Sequence, residues 1–120
     1  MKTLKKTVPA TTSTPPDNQL ARPSLPASIR VAGRNITIAY GSESFKDSGE
    51  MCEEQLSITI KAGQLPIEEA DTLLHEAIHG LDYLYNLKLT EHQVRVLATS
   101  LLGVFQDNPE FTQFVTRKMT

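Results

Sequence analysis

The fold of this chain is decided by one helical segment, whose centre reads Leu73-Leu74-His75-Glu76-Ala77-Ile78-His79-Gly80. Pro66 suits the first turn of a helix, and Asn86 suits its end, where a left-handed residue often stands. At 100° per residue, the apolar side chains of the segment share one broad face: Ala70, Leu73, Leu74, Ala77, Ile78, Leu81 and Leu84. The opposite face is a polar stripe of Asp71, His75, His79, Asp82 and Asn86. The segment is therefore predicted to be an amphipathic helix.

The residues before this helix alternate in the manner of β-strands. Residues 29–31 and 36–40 flank a Gly/Asn turn, which predicts a hairpin. Residues 56–60 are predicted to form a third strand, and residues 41–54 a polar loop.

Two further helices are predicted after the first. Thr90 and Gln93 have the spacing of a capping box, which would start a helix that ends near Asp107. Its buried residues would be Val94, Leu97, Leu101, Val104 and Phe105. Asn108 and Pro109 would begin a short C-terminal helix that carries Phe111, Phe114 and Val115. The expected fold class is α+β, with a small sheet of about three strands followed by three helices.

Composition divides the chain into two parts. Residues 1–27 are rich in proline, serine and threonine, and their charged side chains are Lys2, Lys5, Lys6, Asp17 and Arg22. Because such a segment cannot bury enough apolar surface to offset its ordering entropy, it is predicted to be a flexible tail. Residues 28–120 would then form one domain.

Charge and hydropathy exclude several classes of function. A formal net charge of −2 is too balanced for a dedicated phosphate-binding surface, so direct binding of nucleic acid is not expected. No run approaches the roughly 20 apolar residues of a membrane span, and the amino terminus lacks the apolar core of a secretory signal. Cys52 is the only cysteine, which favours a reducing, cytoplasmic location. The sequence does not indicate an oligomeric state.

His75, Glu76 and His79 form an H-E-x-x-H motif on the predicted helix. The two histidines lie one turn apart, so their imidazoles can bind one metal ion. Glu76 lies 100° around the helix, where it could take a proton from a metal-activated water and pass it to a leaving amine. A merely solvated polar face is the alternative, which the spacing and the use of two of the three histidines disfavour.

A catalytic zinc site needs a third protein ligand and an open position for water. Glu91 is favoured, because the short connection between the helices would bring it beside the histidines at the border of the buried face. His92 is predicted to face solvent, and Asp82 lies about 10 Å along the helix axis from His75. Glu91, His92 and Asp82 stay open as alternatives, and Asp82 or Asp71 could instead accept the distal imidazole N–H.

Residues 73–80 resemble the active-site helix of a minimal zincin. The chain is similar to small metallopeptidase-like proteins of bacteriophages and prophages, and more distantly to ImmA/IrrE-type and SprT-like peptidases. The resemblance implies a zinc ion on His75 and His79, Glu76 as general base, and a carboxylate from the next helix as third ligand.

This chain departs from the ImmA-type pattern at the third ligand. In those chains the ligand glutamate precedes a short Ala-Asn-x-Phe-Ala-like run. Laid over residues 94–98, the pattern puts Gln93 in the ligand position, so either Glu91 substitutes for it or the site is weakened.

The sequence therefore predicts a zinc-dependent peptidase that binds Zn²⁺ through His75, His79 and Glu91 and acts on a protein or peptide substrate. The strand at residues 56–60, if it is a sheet edge, would hold an extended peptide by strand addition. The alternative is a catalytically weak or inactive zincin-like module that binds protein or DNA-associated partners. A DNA-associated protease is a third interpretation, which would require the basic tail.

Overall fold

Strands come first in the chain and helices follow. In the computed structural model, which describes residues 24–117, the strands are β1 (Ser28–Val31), β2 (Arg34–Gly41), β3 (Gly49–Cys52) and β4 (Ser57–Lys61). The helices are α1 (Pro66–Tyr85), α2 (Glu91–Asp107) and α3 (Pro109–Thr116). The predicted α+β class and the three helices are confirmed.

The sheet has four strands in the order β1-β2-β4-β3. The predicted hairpin is confirmed as the antiparallel pair β1 and β2, with Ala32 and Gly33 at positive φ in its turn. β2 pairs in parallel with β4, and β4 pairs antiparallel with β3.

One expectation about the sheet was wrong, and the condition for strand addition at residues 56–60 is not met. It has four strands rather than about three, because β3 lies inside the stretch predicted to be a loop. The strand at residues 56–60 is not an edge, since β4 lies between β2 and β3. β3 reads Gly-Glu-Met-Cys and is only partly buried, so it lacks the buried β-branched residues that reveal a strand in a sequence.

The main core lies between one face of the sheet and α1. Alternate residues of the strands point to this face and are buried: Val31, Ile36, Ile38, Ile58 and Ile60. Leu73 and Leu84 of α1 pack against them. Fully burying side chains of this size stabilises a fold by roughly 1.5–3 kcal/mol each. The core therefore holds α1 firmly on the sheet.

The ends of the first two helices follow the sequence prediction. Pro66 begins α1, and Asn86 ends it in the left-handed region at φ 54° and ψ 52°. The Thr90 side chain accepts from the N–H of Gln93, and the Gln93 side chain accepts from the N–H of Thr90. The predicted capping box is therefore confirmed, and it defines where α2 begins.

A second, smaller cluster joins α1 to α2. It buries Ile78 of α1 and Val94 and Ala98 of α2. The predicted buried face of α2 was too wide, because Leu97, Leu101 and Val104 have 40%, 37% and 39% of their surface exposed. These side chains are exposed because α2 contacts α1 through a narrow strip of residues that includes Val94 and Ala98.

Residues 1–23, most of the predicted tail, lie outside the described residues. Leu25 packs against the core, and the carbonyl of Ala27 accepts from the N–H of Ile38 at 2.8 Å. Among residues 24–117, no helix is both long and apolar enough to cross a membrane.

Candidate metal centre

Three side chains from α1 and α2 converge on one point. Nε2 of His75 lies 2.9 Å from Oε2 of Glu91, and Nε2 of His79 lies 3.0 Å from Oε1 of the same carboxylate. One ligand atom from each residue lies within 4.8 Å of the other two. Two imidazole nitrogens and a carboxylate oxygen at this spacing could hold a metal ion.

The helix geometry brings the two histidines together. His75 and His79 lie one turn apart on the side of α1 that faces α2, and their ring centroids are 4.9 Å apart. Ile78, between them in sequence, packs against Val94 of α2. The apolar contact between the helices therefore also sets the separation of the histidines from Glu91.

Glu91 is positioned by the connection between the helices. Asn86 and Lys88 both adopt positive φ, which turns the chain back sharply after α1. The N–H of Leu89 donates to Oδ1 of Asp82 at 3.1 Å, which ties the connection to the last turn of α1. Glu91 is then the first residue of α2 and reaches both imidazoles.

The other candidates for the third position lie elsewhere. His92 is exposed and outside the three-residue group. Asp82 accepts the N–H of Leu89, and Asp71 accepts the hydroxyl of Thr99 at 3.0 Å, so neither is within the cluster. Of the alternatives that the sequence left open, the structure brings Glu91 to the two histidines.

Glu76 is buried beside this cluster, with 8% of its surface exposed. Burial raises the pKa of its carboxyl from 4.5 to about 7; the charge of His79 opposes this, and those of Glu91, Glu50 and Asp47 add to it. A carboxyl with a pKa near neutrality can both accept and donate a proton under ordinary conditions.

Gly49 of β3 allows the sheet edge to approach α1 at Glu76. A Cβ at Gly49 would lie 2.6 Å from Cγ2 of Thr72 and 3.3 Å from Cγ of Glu76. Thr72 is itself buried and donates its hydroxyl to Oε1 of Gln64. Sequence reasoning missed this contact, although the four-residue spacing of Thr72, Glu76 and Gly80 suggests a small, partly polar stripe on α1.

A cavity of about 650 Å³ opens over the cluster. One wall is formed by residues 47–51 and Glu53, and the other by α1 and α2. Arg95 of α2 lines it as well, with Nη2 3.8 Å from Oε2 of Glu91. Sequence reasoning identified the three clustered side chains and Glu76 but neither the β3 wall nor Arg95.

Comparisons of the chain with protein-family models, with curated proteins and with solved structures find no match. A proposal for the function of this chain therefore rests on its sequence and on the geometry of the site.

Proposed function

We propose that this protein is a zinc-dependent peptidase of minimal-zincin type. The observation that carries the proposal is the convergence of His75, His79 and Glu91 within 4.8 Å, with the buried carboxyl of Glu76 beside them. The H-E-x-x-H spacing, an α+β architecture and an open cavity above the cluster support the same assignment.

The chemistry of the donors fits zinc. Two neutral imidazoles and one carboxylate are a ligand set used by catalytic zinc sites, in which a fourth position is left for water or substrate. The three residues here come from two adjacent helices, and the cavity leaves their exposed side accessible. His75, His79 and Glu91 would hold the ion.

When bound, zinc would polarise the carbonyl of the scissile bond and make an attacking water more acidic. In the proposed mechanism Glu76 accepts the proton of that water as it attacks. Glu76 then delivers the proton to the leaving amine, which balances the hydrolysis. In the metal-free chain, burial raises the pKa of Glu76 to about 7, which favours both acceptance and donation of a proton near neutral pH.

β3 is proposed to align the substrate. It is an edge strand that pairs on one side with β4, and three of its residues line the cavity. An extended peptide could pair with its outer side by strand addition, which would lay the scissile bond beside Glu76. This proposal replaces the role first assigned to residues 56–60.

A second candidate is a metal-stabilised binding module without catalytic activity. It is favoured by the contact of Glu91 with both histidines, since that contact ties α1 to α2 whether or not chemistry follows. DNA-associated partners are a weaker variant of this candidate, because the cavity wall is rich in carboxylates.

The test compares wild-type protein, Glu76→Gln and His75→Ala for zinc content and for cleavage of a denatured protein substrate. The peptidase proposal expects about one zinc per chain and cleavage in the wild type, retained zinc without cleavage in Glu76→Gln, and loss of both in His75→Ala. Bound zinc without cleavage in the wild type would favour the binding module, and undiminished cleavage by Glu76→Gln would exclude the proposed mechanism.

A further inference from the structure

The cavity above the cluster carries a strong excess of negative charge. Six of its lining residues are acidic: Asp47, Glu50, Glu53, Asp71, Glu76 and Glu91. Among the described residues that line it, Arg95 is the only lysine or arginine. Apart from Glu76 and Glu91, which are assigned to the metal centre, the cavity is lined by the carboxylates of Asp47, Glu50, Glu53 and Asp71 and by the single guanidinium of Arg95.

Three of these carboxylates are not neutralised by a neighbour. Within residues 24–117, the side chains of Asp47, Glu50 and Glu53 make no hydrogen bond or ion pair. Arg95 lies 3.8 Å from Glu91, so its charge is directed to the cluster instead. The wall formed by β3 and the residues before it therefore presents uncompensated negative charge to the cavity.

A separate observation indicates that the cavity is built to receive a ligand. Glu76 is more than nine-tenths buried and lines the cavity, yet its carboxylate has no hydrogen-bond partner among the described residues. A buried polar group without a partner is costly to a fold, and such groups often serve function.

The acidic residues extend to both sides of the cluster. The closest contacts of Gly49 are with Thr72 and Glu76, whereas Met51 lies near Gly80, so β3 runs alongside α1 in the same direction. Asp47 precedes β3, Glu53 follows it and both line the cavity, so the direction of the strand places Asp47 toward the start of α1 and Glu53 toward its end. A peptide lying along β3 would pass carboxylates before and after the position of the metal.

We propose that the cavity selects basic peptide segments, with lysine or arginine on both sides of the bond that lies over the cluster. This specificity rests on the proposed peptidase function, whose substrate class it names. Acidic residues in a cleft with low-dielectric walls concentrate cationic ligands and speed their association. A bound zinc ion would offset the charges of Glu76 and Glu91, and the surrounding carboxylates would remain to attract the peptide.

The test measures binding rather than turnover. Two fluorescein-labelled peptides share an apolar centre, flanked on both sides by lysines in one and by glutamates in the other. Fluorescence anisotropy measures the dissociation constant of each peptide from the zinc-loaded, full-length Glu76→Gln variant. This variant is used because it is expected to bind the peptides without cleaving them. We expect the lysine peptide to bind at least about tenfold more tightly, with a preference that weakens as salt is added.

Two charge-reversed variants of that protein identify the source of the preference. Glu50→Lys combined with Glu53→Lys should remove it. Glu43→Lys combined with Glu110→Lys should retain it, because those exposed residues lie outside the cavity yet change the net charge equally.

Equal binding of the two peptides, no binding of either, or equal effects of both double variants would overturn the specificity. The proposed function fails by a different result, namely no cleavage of the lysine peptide by zinc-loaded wild-type protein. Charge-selective binding without cleavage would leave the basic-segment preference standing for a binding module.

Discussion

Gly49 lies against the side chain of Glu76: a Cβ at Gly49 would lie 3.3 Å from Cγ of Glu76 and 2.6 Å from Cγ2 of Thr72, so its absence lets the edge strand approach α1 closely here. Glu76 is buried at this contact, and burial raises the pKa of its carboxyl to about 7. The closest approach of β3 to α1 therefore lies beside the proposed general base.

Gly49→Ala should disturb both stability and the site. The added methyl would lie 2.6 Å from Thr72, so β3 or α1 must shift, at a cost of about 1–3 kcal/mol in the free energy of unfolding. Gly103→Ala is the matched control, because no atom lies within 4 Å of its added methyl and alanine favours a helix over glycine by about 1 kcal/mol. The free energy of unfolding measured in urea and the rate of peptide cleavage should both fall in Gly49→Ala. Neither should fall in Gly103→Ala. Normal cleavage by Gly49→Ala would show that Glu76 does not need the close contact.

Glu91→Ala should reduce zinc affinity by a large factor, since it removes the only carboxylate in the three-residue group. His92→Ala is the control, because the neighbouring imidazole is exposed and outside the group. The effect is measured by recording thermal unfolding at increasing zinc concentrations. An ion that binds only the folded chain adds about 2.7 kcal/mol to the free energy of unfolding when its free concentration is about 100 times its dissociation constant. Equal loss of zinc from both variants would contradict the assignment of Glu91.

The stability of the metal-free protein should depend on pH through Glu76. Its pKa is about 7 in the folded chain and near 4.5 when unfolded, so folding favours the protonated form. The resulting stabilisation is fully present below pH 4.5 and is lost as the pH rises through 7, with a total on the order of 3 kcal/mol.

Glu76→Gln cannot ionise, so it should lack this component. In urea unfolding with a chelator present, the variant should gain stability relative to the wild type between pH 4.5 and pH 7.5. A constant difference between the two proteins across that range would mean that the carboxyl is not desolvated in the folded chain.

Asp82→Ala should loosen the connection that carries Glu91. The substitution leaves the N–H of Leu89 without its acceptor, which costs about 1 kcal/mol in stability. Zinc affinity should fall by less than in Glu91→Ala, because all three ligands are kept. Asp107→Ala, at the far end of α2, should leave zinc affinity unchanged. An effect of Asp82→Ala as large as that of Glu91→Ala would instead make Asp82 a ligand.

The helices could be predicted because their signals are local. Pro66, Asn86 and the Thr90–Gln93 pair act through backbone geometry and hydrogen bonds within one turn, so the sequence indicates them directly. The spacing of His75 and His79 likewise determines which side of a helix they share. These features needed no knowledge of the tertiary structure.

The features that escaped prediction depend on contacts between distant segments. β3 is a strand because β4 offers it hydrogen bonds, and its own residues show no clear alternation of buried and exposed positions. The choice between Glu91, His92 and Asp82 required the path of the connection, which the positive φ of Asn86 and Lys88 determines. Gln93 cannot serve as a ligand in any case, because its side chain is engaged in the helix cap.

The position of β3 in the sheet also has a consequence for how the molecule opens. Its four residues are bonded on one side only, whereas β2 and β4 are each flanked by strands on both sides. Amide hydrogens of β3 should therefore exchange with solvent through local opening that leaves the isoleucine core intact. The strand that forms one wall of the cavity would then be the first part of the sheet to open, while β2 and β4 stay paired.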